Sequence, residues 1–530
     1  MSRARAALVA GLFLLLTIAS GGNRVSSRVV AADDQQAAVQ SPKPPAVPKA
    51  QPIPAAAANP QTGWEERTLK VPVVGAAYIY QPRHPTTPNV VLFMSGDGAW
   101  NLGVVDMARR MMPKAIVAGI SYPALRRAPG AAAKCWMPSG DLEVIAHDIE
   151  KQLNLPAYQQ PVLVGYSSGA TEVYGALAAS PYSFAGGLAM GFCPDLPANH
   201  NVCASDNFRP PPRDVKKNVV MLPKVPELAR DFYVVNGIQD EVCKPPEMHA
   251  FLDDMKNAHF YEAPGTGHGF SRPLRWGPEF DKAYDEVLAS ATEVNHPRHD
   301  EAPAGTAASL APKFEALKLP LEFQWADKPA AALIFVSGDG GWASIDRSVS
   351  AYLAARGVSV IGLNAQSYFW NERTPEQAGA DLSRIVDVAS GLQVPVFVGG
   401  YSIGAETVPF MVDSWPDAER RRLGGFVLIA PSETATFEFK VVNMLFRAKQ
   451  TPYVVASAVK KSQVPTLCLS GKDEAPRDTA CDDMGTAAEA VSLPGSHHFN
   501  SKYDDVGKVV LDFIEKNVKH AGSYRRNTFR

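Results

Sequence analysis

Residues 400–404 form a G-x-S-x-G sequence with Ser402 at its centre. The apolar run before them is typical of a buried strand, and residues 404–412 favour a helix. In such a strand–turn–helix, the glycines permit a tight turn that lifts the serine hydroxyl above the sheet, and the helix amides point toward it. The motif therefore predicts a serine nucleophile.

A carboxylate and a histidine follow Ser402 in the order that an α/β-hydrolase uses. Asp473 ends a strand-like run, and His498 follows in the frame P-G-x-x-H. The histidine would take the serine proton, and the carboxylate would hold the imidazole in the productive tautomer. Two alternatives stay open. Glu474 could be the acid, and His497 could be the base. Aligning the two copies on the phenylalanine after the histidine selects His497, whereas aligning them on the Pro-Gly pair selects His498.

An oxyanion hole needs backbone N–H groups aimed at the reacting oxygen. Ile403, the residue after the nucleophile, would supply one of them. The loop SGDGGW would supply another through Gly338 or Gly340, because glycines let the backbone approach the substrate closely. Asp339 in this loop is interpreted as a turn and cap residue.

The same landmarks occur once more, earlier in the chain. A loop SGDGAW precedes the string GYSSGA with Ser167, Asp240 after an apolar run, and His268 in the frame P-G-x-x-H. These three residues precede their counterparts by 230 to 235 residues. Because the order and the spacing are kept, the chain is interpreted as an internal duplication. The residues Ser167, Asp240 and His268 are a candidate second site.

The composition fits two globular domains. The chain has 530 residues, of which 46% are hydrophobic and 20% charged, and its formal net charge is −2. Scattered lysines and arginines predict no direct binding of nucleic acid. Each half alternates short apolar runs with helical patterns, so the predicted fold class is α/β: two tandem α/β-hydrolase-like domains, each with a mostly parallel sheet flanked by helices.

The N-terminus has the pattern of an export signal. Arg3 and Arg5 precede an apolar run at residues 6–19, which is short for a bilayer span. An uncleaved membrane anchor is the alternative. The predicted organisation is a signal peptide at 1–22, a disordered Ala/Pro-rich tether at 23–62, an N-terminal domain at 63–292, a linker at 293–312 and a C-terminal domain at 313–520.

Six cysteines in an exported chain predict disulfides. Proximity in sequence favours Cys468–Cys481 and Cys193–Cys203, which leaves Cys135–Cys243 as the third pair. The alternative is buried free thiols.

Motifs for other chemistry are missing from the sequence. It contains no H-E-x-x-H, no paired Cys-x-x-Cys and no G-x-x-x-x-G-K-[ST]. His249 and His259 are interpreted as surface residues. Neither a metal nor an organic cofactor is therefore expected.

Longer strings in the second half go beyond a generic hydrolase. They are SGDGGW, SYFWNERTPEQ, GGYSIGAET, FVLIAPSETATFEF, CLSGKDEAPRDTAC and LPGSHHF. This series resembles the AcvB/VirJ family of bacterial virulence proteins, strongly over residues 315–518 and as a more diverged copy over 63–292. The first copy lacks the YFW-x-x-RTPEQ string, so we expect a specificity, docking or weakly catalytic role for it.

The resemblance implies periplasmic hydrolysis of aminoacylated phosphatidylglycerol, chiefly the lysyl form, at the membrane surface, linked to virulence. It places Ser402, Asp473 and His498 on the family's triad. The family commonly has a tyrosine where Ser470 stands, beside the proposed acid. Secretion-machinery partners are left unidentified, and the alternatives are a general periplasmic esterase or lipase and a non-enzymatic virulence or secretion accessory protein.

The substrate implied by the resemblance carries ammonium groups, which favour a carboxylate nearby. The candidates are Glu406, Asp339 and Glu474. Roles as helix caps or ion-pair partners are the alternative for all three.

Overall fold

The computed structural model describes residues 63–83, 89–127, 135, 138–197, 203, 208–209, 218–296, 306–441, 451–474 and 478–518. The predicted signal peptide and tether lie outside the described residues. Among the residues that are described, no helix is both long and apolar enough to cross a membrane.

The N-terminal domain is built on an eight-stranded sheet in the order β1-β2-β4-β3-β5-β6-β9-β10. Strands β1, β2 and β4 pair antiparallel, and all the other neighbours pair parallel. A separate antiparallel pair joins β7 to β8. The strands are β1 Trp64–Leu69, β2 Ala77–Pro82, β3 Val90–Met94, β4 Ile116–Ile120, β5 Val162–Tyr166, β6 Gly186–Met190, β7 Asp195–Pro197, β8 Val219–Met221, β9 Glu227–Gly237 and β10 Lys256–Ala263.

Helices cover both faces of this sheet, because its central strands are apolar along their whole length. Every residue of β3, β4 and β6 is buried, which leaves no polar face for water. The helices are α1 Leu102–Met111, α2 Tyr122–Leu125, α3 Pro138–Gln152, α4 Ser168–Ala179, α5 Pro245–Leu252 and α6 Pro273–Asn295.

The C-terminal domain repeats this plan with a seven-stranded sheet in the order β11-β13-β12-β14-β15-β16-β17. Only β11 pairs antiparallel, at the edge. The strands are β11 Leu321–Gln324, β12 Ala331–Val336, β13 Val358–Leu363, β14 Val396–Tyr401, β15 Phe426–Ile429, β16 Thr466–Gly471 and β17 Glu489–Leu493. The helices are α7 Thr306–Glu315, α8 Ser344–Ala354, α9 Ala365–Tyr368, α10 Pro375–Ala389, α11 Ile403–Asp413, α12 Asp417–Arg420, α13 Val455–Ser462, α14 Cys481–Met484 and α15 Tyr503–Val518.

The predicted fold class, two tandem α/β-hydrolase-like domains, is confirmed. In each domain the candidate nucleophile directly follows a central parallel strand, β5 or β14, and precedes a helix, α4 or α11. The candidate acids follow β9 and β16. These groups therefore meet at the carboxyl edge of the sheet, where open α/β sheets place their ligands.

The region between the domains is more structured than the sequence predicts. Helix α6 continues to Asn295, three residues beyond the predicted domain end at 292, and α7 begins at Thr306 inside the predicted linker. Leu310 of α7 is 3% exposed and packs against Gly391, where an added Cβ would lie 2.7 Å from the leucine side chain. The apolar face of α7 explains why this part of the linker folds onto the C-terminal domain.

Three disulfides join the six cysteines: Cys135–Cys203, Cys193–Cys243 and Cys468–Cys481. The prediction is correct for Cys468–Cys481 and wrong for Cys193–Cys203 and Cys135–Cys243. Strand topology explains the error. Cys193 follows β6 and Cys243 follows β9, and these two strands are parallel neighbours whose carboxyl ends lie together.

The family-specific YFW string docks the second domain onto the first. Trp370 is 1% exposed among core side chains of the N-terminal domain, and its Nε1 donates to the Leu155 carbonyl at 2.9 Å. Its ring centroid lies 5.4 Å from that of Tyr158, and the ammonium of Lys151 lies 4.3 Å above it. Beside it, His147 Nε2 lies 3.0 Å from the Gln366 side-chain amide. Trp370, the last residue of the YFW string, is therefore an interdomain contact, whereas Tyr368 and Phe369 pack in the core of their own domain.

We expect Trp370→Ala to lower the free energy of unfolding by about 3–5 kcal/mol, because it empties a large buried site and removes a hydrogen bond. Denaturant titration measures this loss. Asn371→Ala is the matched control, since this exposed neighbour makes only one interdomain bond, from Nδ2 to the Pro156 carbonyl at 3.2 Å. Equal, small effects of both substitutions would contradict the docking role.

Candidate active sites

The N-terminal domain contains a closed serine–histidine–aspartate chain. Ser167 Oγ lies 3.0 Å from His268 Nε2, and His268 Nδ1 lies 2.9 Å from Asp240 Oδ2. The aspartate side chain is fully buried and that of the histidine is 22% exposed. This geometry lets the imidazole remove the serine proton while the carboxylate fixes the tautomer. The structure brings together all three residues predicted for the second site.

Backbone amides hold the Asp240 carboxylate in place. Its Oδ1 accepts hydrogen bonds from the N–H groups of Val242 at 2.9 Å and Cys243 at 2.8 Å. Burial alone would raise the pKa of Asp240, but the hydrogen bonds from His268 and these amides outweigh it, so the pKa lies below its ordinary value. Asp240 is therefore a carboxylate at neutral pH.

Both candidate nucleophiles occupy the same strained turn. Ser167 has φ 55° and ψ −123°, and Ser402 has φ 52° and ψ −121°, a region that non-glycine residues rarely adopt. The Ser167 amide donates to the Met190 carbonyl and the Ser402 amide to the Ile429 carbonyl, both at 2.9 Å. The turn that the G-x-S-x-G sequence predicts is thus present in both domains.

In the C-terminal domain the acid–base pair is Glu474 and His497. His497 Nδ1 lies 3.0 Å from Glu474 Oε1, and the glutamate side chain is 4% exposed. Its other oxygen accepts from the Gly471 amide at 3.0 Å. To residues in the described ranges, Ser402 Oγ makes no hydrogen bond. Hydrolases without substrate often have this contact open, and it tightens when substrate binds.

The predicted acid and base, Asp473 and His498, lie outside this hydrogen-bonded pair. Asp473 is exposed at the turn. His498 is also exposed, and its Nδ1 lies 3.0 Å from the Tyr401 hydroxyl.

Equivalent backbone contacts in the two domains favour Glu474 and His497 over the predicted residues. The Asp240 amide donates to the Gly237 carbonyl, as the Glu474 amide donates to the Gly471 carbonyl, so each acid stands three residues after the glycine that ends its strand. Counting from that glycine, instead of matching aspartate to aspartate, selects Glu474.

For the histidines, the tyrosine before each nucleophile gives the same result. The Tyr166 hydroxyl donates to the His268 carbonyl at 3.0 Å, and the Tyr401 hydroxyl to the His497 carbonyl at 3.3 Å. The second domain is one residue shorter between the Pro-Gly pair and the histidine, so counting from the buried Phe499 selects His497.

The predicted oxyanion residues differ in how close they lie to the nucleophile. A Cβ on Gly338 would lie 3.7 Å from Ser402 Cβ and 2.9 Å from the Tyr401 ring, so only glycine brings the loop this close. Ile403 begins α11 directly after Ser402. Gly340 is exposed, and a side chain there would meet open space, so packing does not require glycine at this position.

A buried carboxylate stands one helical turn after the nucleophile of the second site. Glu406 lies in the first turn of α11, is 7% exposed and accepts a hydrogen bond from the Ser432 amide at 3.2 Å. Burial raises the pKa of Glu406 to about 7, against the opposing effects of Ser432 and His497. At the equivalent position of the first domain, Thr171 donates to the Cys193 carbonyl at 2.7 Å.

Within the described residues, one group has the spacing of a metal site: Asp240, Cys243 and His268, whose ligand atoms lie within 4.8 Å of one another. Cys243 is bonded to Cys193, so no thiolate is available there. Asp240 and His268 are bonded to each other in the triad. The hydrolase geometry accounts for this cluster better than a metal does.

Residues 330–518 match the family described as bacterial virulence protein VirJ, which confirms the resemblance seen in the sequence. No curated protein matches the chain.

Solved structures with similarity to the chain include Est1E from Butyrivibrio proteoclasticus, with 16% identity, a TM-score of 0.30 and coverage of 38% of this chain and 93% of that one. A membrane phospholipase A, a bacterial virulence factor, has 14% identity, a TM-score of 0.31 and coverage of 43% and 87%. An α/β serine hydrolase homologue from Coxiella burnetii has 15% identity, a TM-score of 0.29 and coverage of 42% and 96%.

Proposed function

We propose that the protein is a periplasmic serine hydrolase that cleaves the aminoacyl ester of lysyl-phosphatidylglycerol, and the match of residues 330–518 to the VirJ family of bacterial virulence proteins supports this. The observation that carries the proposal is the arrangement around Ser402. A strained nucleophile turn stands with a hydrogen-bonded Glu474–His497 pair and with a buried carboxylate, Glu406. This combination suits an ester whose acyl group is cationic.

The reaction proceeds by acyl transfer in two steps. Ser402 Oγ attacks the lysyl carbonyl carbon while His497 Nε2 takes its proton. The ester C–O bond breaks, and phosphatidylglycerol leaves with the proton from His497, so that a lysyl ester forms on Ser402. Water, deprotonated by His497, then releases lysine. Glu474 holds the imidazole throughout, and the amides of Ile403 and Gly338 stabilise the oxyanion.

Glu406 binds an ammonium group of the lysyl substrate in this proposal. We expect Glu406→Gln to raise KM for lysyl-phosphatidylglycerol by about 10–100-fold, the range for losing a charge-assisted hydrogen bond. Because the pKa of Glu406 is about 7, the carboxylate forms as pH rises through 7, and KM should fall between pH 6 and pH 8. Glu406→Gln should lack this fall, and steady-state kinetics at several pH values measure it.

The control for this substitution is Glu315→Gln, which removes an exposed carboxylate on α7 and should leave KM and its pH dependence as in the wild type. Unchanged KM in Glu406→Gln would assign the ammonium site to another residue.

Vesicles containing both phosphatidylglycerol and lysyl-phosphatidylglycerol test the proposed reaction. We expect the wild-type protein to release lysine and leave phosphatidylglycerol intact, as measured by mass spectrometry, and Ser402→Ala to release none. Release of fatty acid from both lipids would indicate a general lipase instead. In cells, a Ser402→Ala strain with an unchanged virulence phenotype would indicate the non-enzymatic accessory role.

A second hydrolytic activity is proposed for the N-terminal domain, because its triad is already closed at 3.0 Å and 2.9 Å. Thr171 stands where the other site has Glu406, and the buried Glu172 follows it, so the two sites should differ in the esters that they accept.

The disulfides are typical of a protein that folds in an oxidising compartment outside the cytosol. They support the periplasm as the proposed location, where the lipid substrate is reached at the membrane surface.

A further inference from the structure

A pocket of about 430 Å³ lies between the two domains. This volume is within the usual range for small-ligand sites, about 300–1,000 Å³. Both domains contribute to its lining, which includes Tyr158, Gln160 and Arg230 from the first and Trp342, Arg347 and Gln366 from the second.

Two arginines, one from each domain, meet at this pocket on the ring of Tyr182. The Arg230 guanidinium carbon lies 5.4 Å from the ring centroid and that of Arg347 lies 5.1 Å from it. Backbone carbonyls orient both side chains: Arg230 Nε donates to Phe184 at 3.2 Å, and Arg347 Nε to Trp342 at 3.1 Å. Over the described part of the chain, no carboxylate lies within 4.0 Å of either guanidinium.

The charge of the pocket is therefore positive and only partly compensated. Lys318 adds a third cation to the lining of the pocket, and Glu322 is the acidic residue in that lining. Burial and the charge of Arg347 lower the pKa of Arg230 to about 10, although Tyr182, Glu322 and Asp231 act in the opposite direction, so the guanidinium is still charged at neutral pH. Two like charges held on one ring repel each other, and an anion between them would relieve this repulsion.

The pocket adjoins the second active site. Trp342 ends the SGDGGW loop, whose Gly338 lies against Ser402, and Gln366 follows β13 at the same edge of the sheet. Arg230 lies near the start of β9, so the first domain presents the amino end of its strands here. The pocket thus lies against a loop of the second site and is also lined by residues that only the first domain supplies.

We propose that this interdomain pocket binds a phosphate or phosphodiester anion between Arg230 and Arg347. Guanidinium groups match the oxygens of such anions through paired N–H donors. Identifying the anion as the phosphodiester of the lipid substrate rests on the proposed function, whereas the anion site itself does not. In either case the first domain completes a ligand site for the second.

Isothermal titration calorimetry of the full chain tests this with inorganic phosphate and with glycerophosphoglycerol, the soluble phosphodiester headgroup of phosphatidylglycerol. We expect Arg230→Gln and Arg347→Gln each to weaken binding by about 10–100-fold. Arg230→Lys should recover part of the affinity. Arg356→Gln is the matched control, because Arg356 stacks on Tyr352 at 3.6 Å outside the pocket and should leave binding unchanged.

Tighter binding of glycerophosphoglycerol supports a lipid headgroup as the occupant, and tighter binding of phosphate supports the free anion. Absence of binding by the folded wild-type protein, or equal binding by both glutamine variants and wild type, overturns the proposal. Because no turnover is measured, the result stands even if the chain fails to hydrolyse lysyl-phosphatidylglycerol. Circular dichroism of each variant separates loss of the site from loss of the fold.

Discussion

Glu474→Gln is expected to lower kcat of the C-terminal site for lysyl-phosphatidylglycerol by about 10⁴-fold, the size found when a triad carboxylate becomes an amide. Glutamine keeps the shape but can no longer hold the His497 Nδ1 proton, which lies 3.0 Å from Glu474 Oε1. Asp473→Asn, one residue earlier and exposed, should change kcat by less than about threefold. Lysine release under substrate saturation measures both.

The histidines form a second matched pair for the same prediction. His497→Ala should abolish turnover, whereas His498→Ala removes only an exposed ring that contacts the Tyr401 hydroxyl. If Asp473→Asn and His498→Ala were the inactive variants, the assignment from geometry would be wrong and the one from spacing correct.

Ser167→Ala is expected to lower hydrolysis of a small neutral ester by the N-terminal site by at least about 10³-fold, because nothing else there can form the acyl intermediate. The substitution is best made in a Ser402→Ala background, where the other nucleophile is silent. Release of p-nitrophenol from p-nitrophenyl acetate measures the rate.

Ser168→Ala is the control for Ser167→Ala. It removes the adjacent hydroxyl, which donates to Asp97 at 2.5 Å and does not contact His268. A double variant of Ser167 and Ser402 that still cleaves the ester at the wild-type rate would show that neither serine is a nucleophile.

Sequence patterns predicted the features of this chain that arise from local structure. The G-x-S-x-G turn, the strand–helix alternation and the duplication all depend on a few neighbouring residues, and φ values of 52° and 55° at the two serines follow from that local pattern. The acid and base depend on loop lengths after β16 and β17, where a single-residue difference changes which of two adjacent side chains joins the acid–histidine pair. Matching residue types across the duplication selected Asp473, while the backbone frame selects Glu474.

Contacts between distant segments were beyond the sequence for a similar reason. Cys193 pairs with Cys243 because β6 and β9 are neighbours in the sheet, although Cys203 is nearer in the chain. In the sequence, Trp370 is recognisable only as part of a family motif. Its hydrogen-bond partner Leu155 lies more than two hundred residues away. In both cases, the residues around one partner contain no information about where the other partner lies in the chain.

The most direct test of the two-site account is covalent labelling of the folded wild-type protein with a fluorophosphonate, followed by mass spectrometry of the peptides. We predict adducts on both Ser167 and Ser402, with excess lysyl-phosphatidylglycerol protecting Ser402 and leaving Ser167 reactive. An unmodified Ser402 in protein whose Ser167 reacts fully would contradict the central claim that the second domain carries an assembled nucleophile.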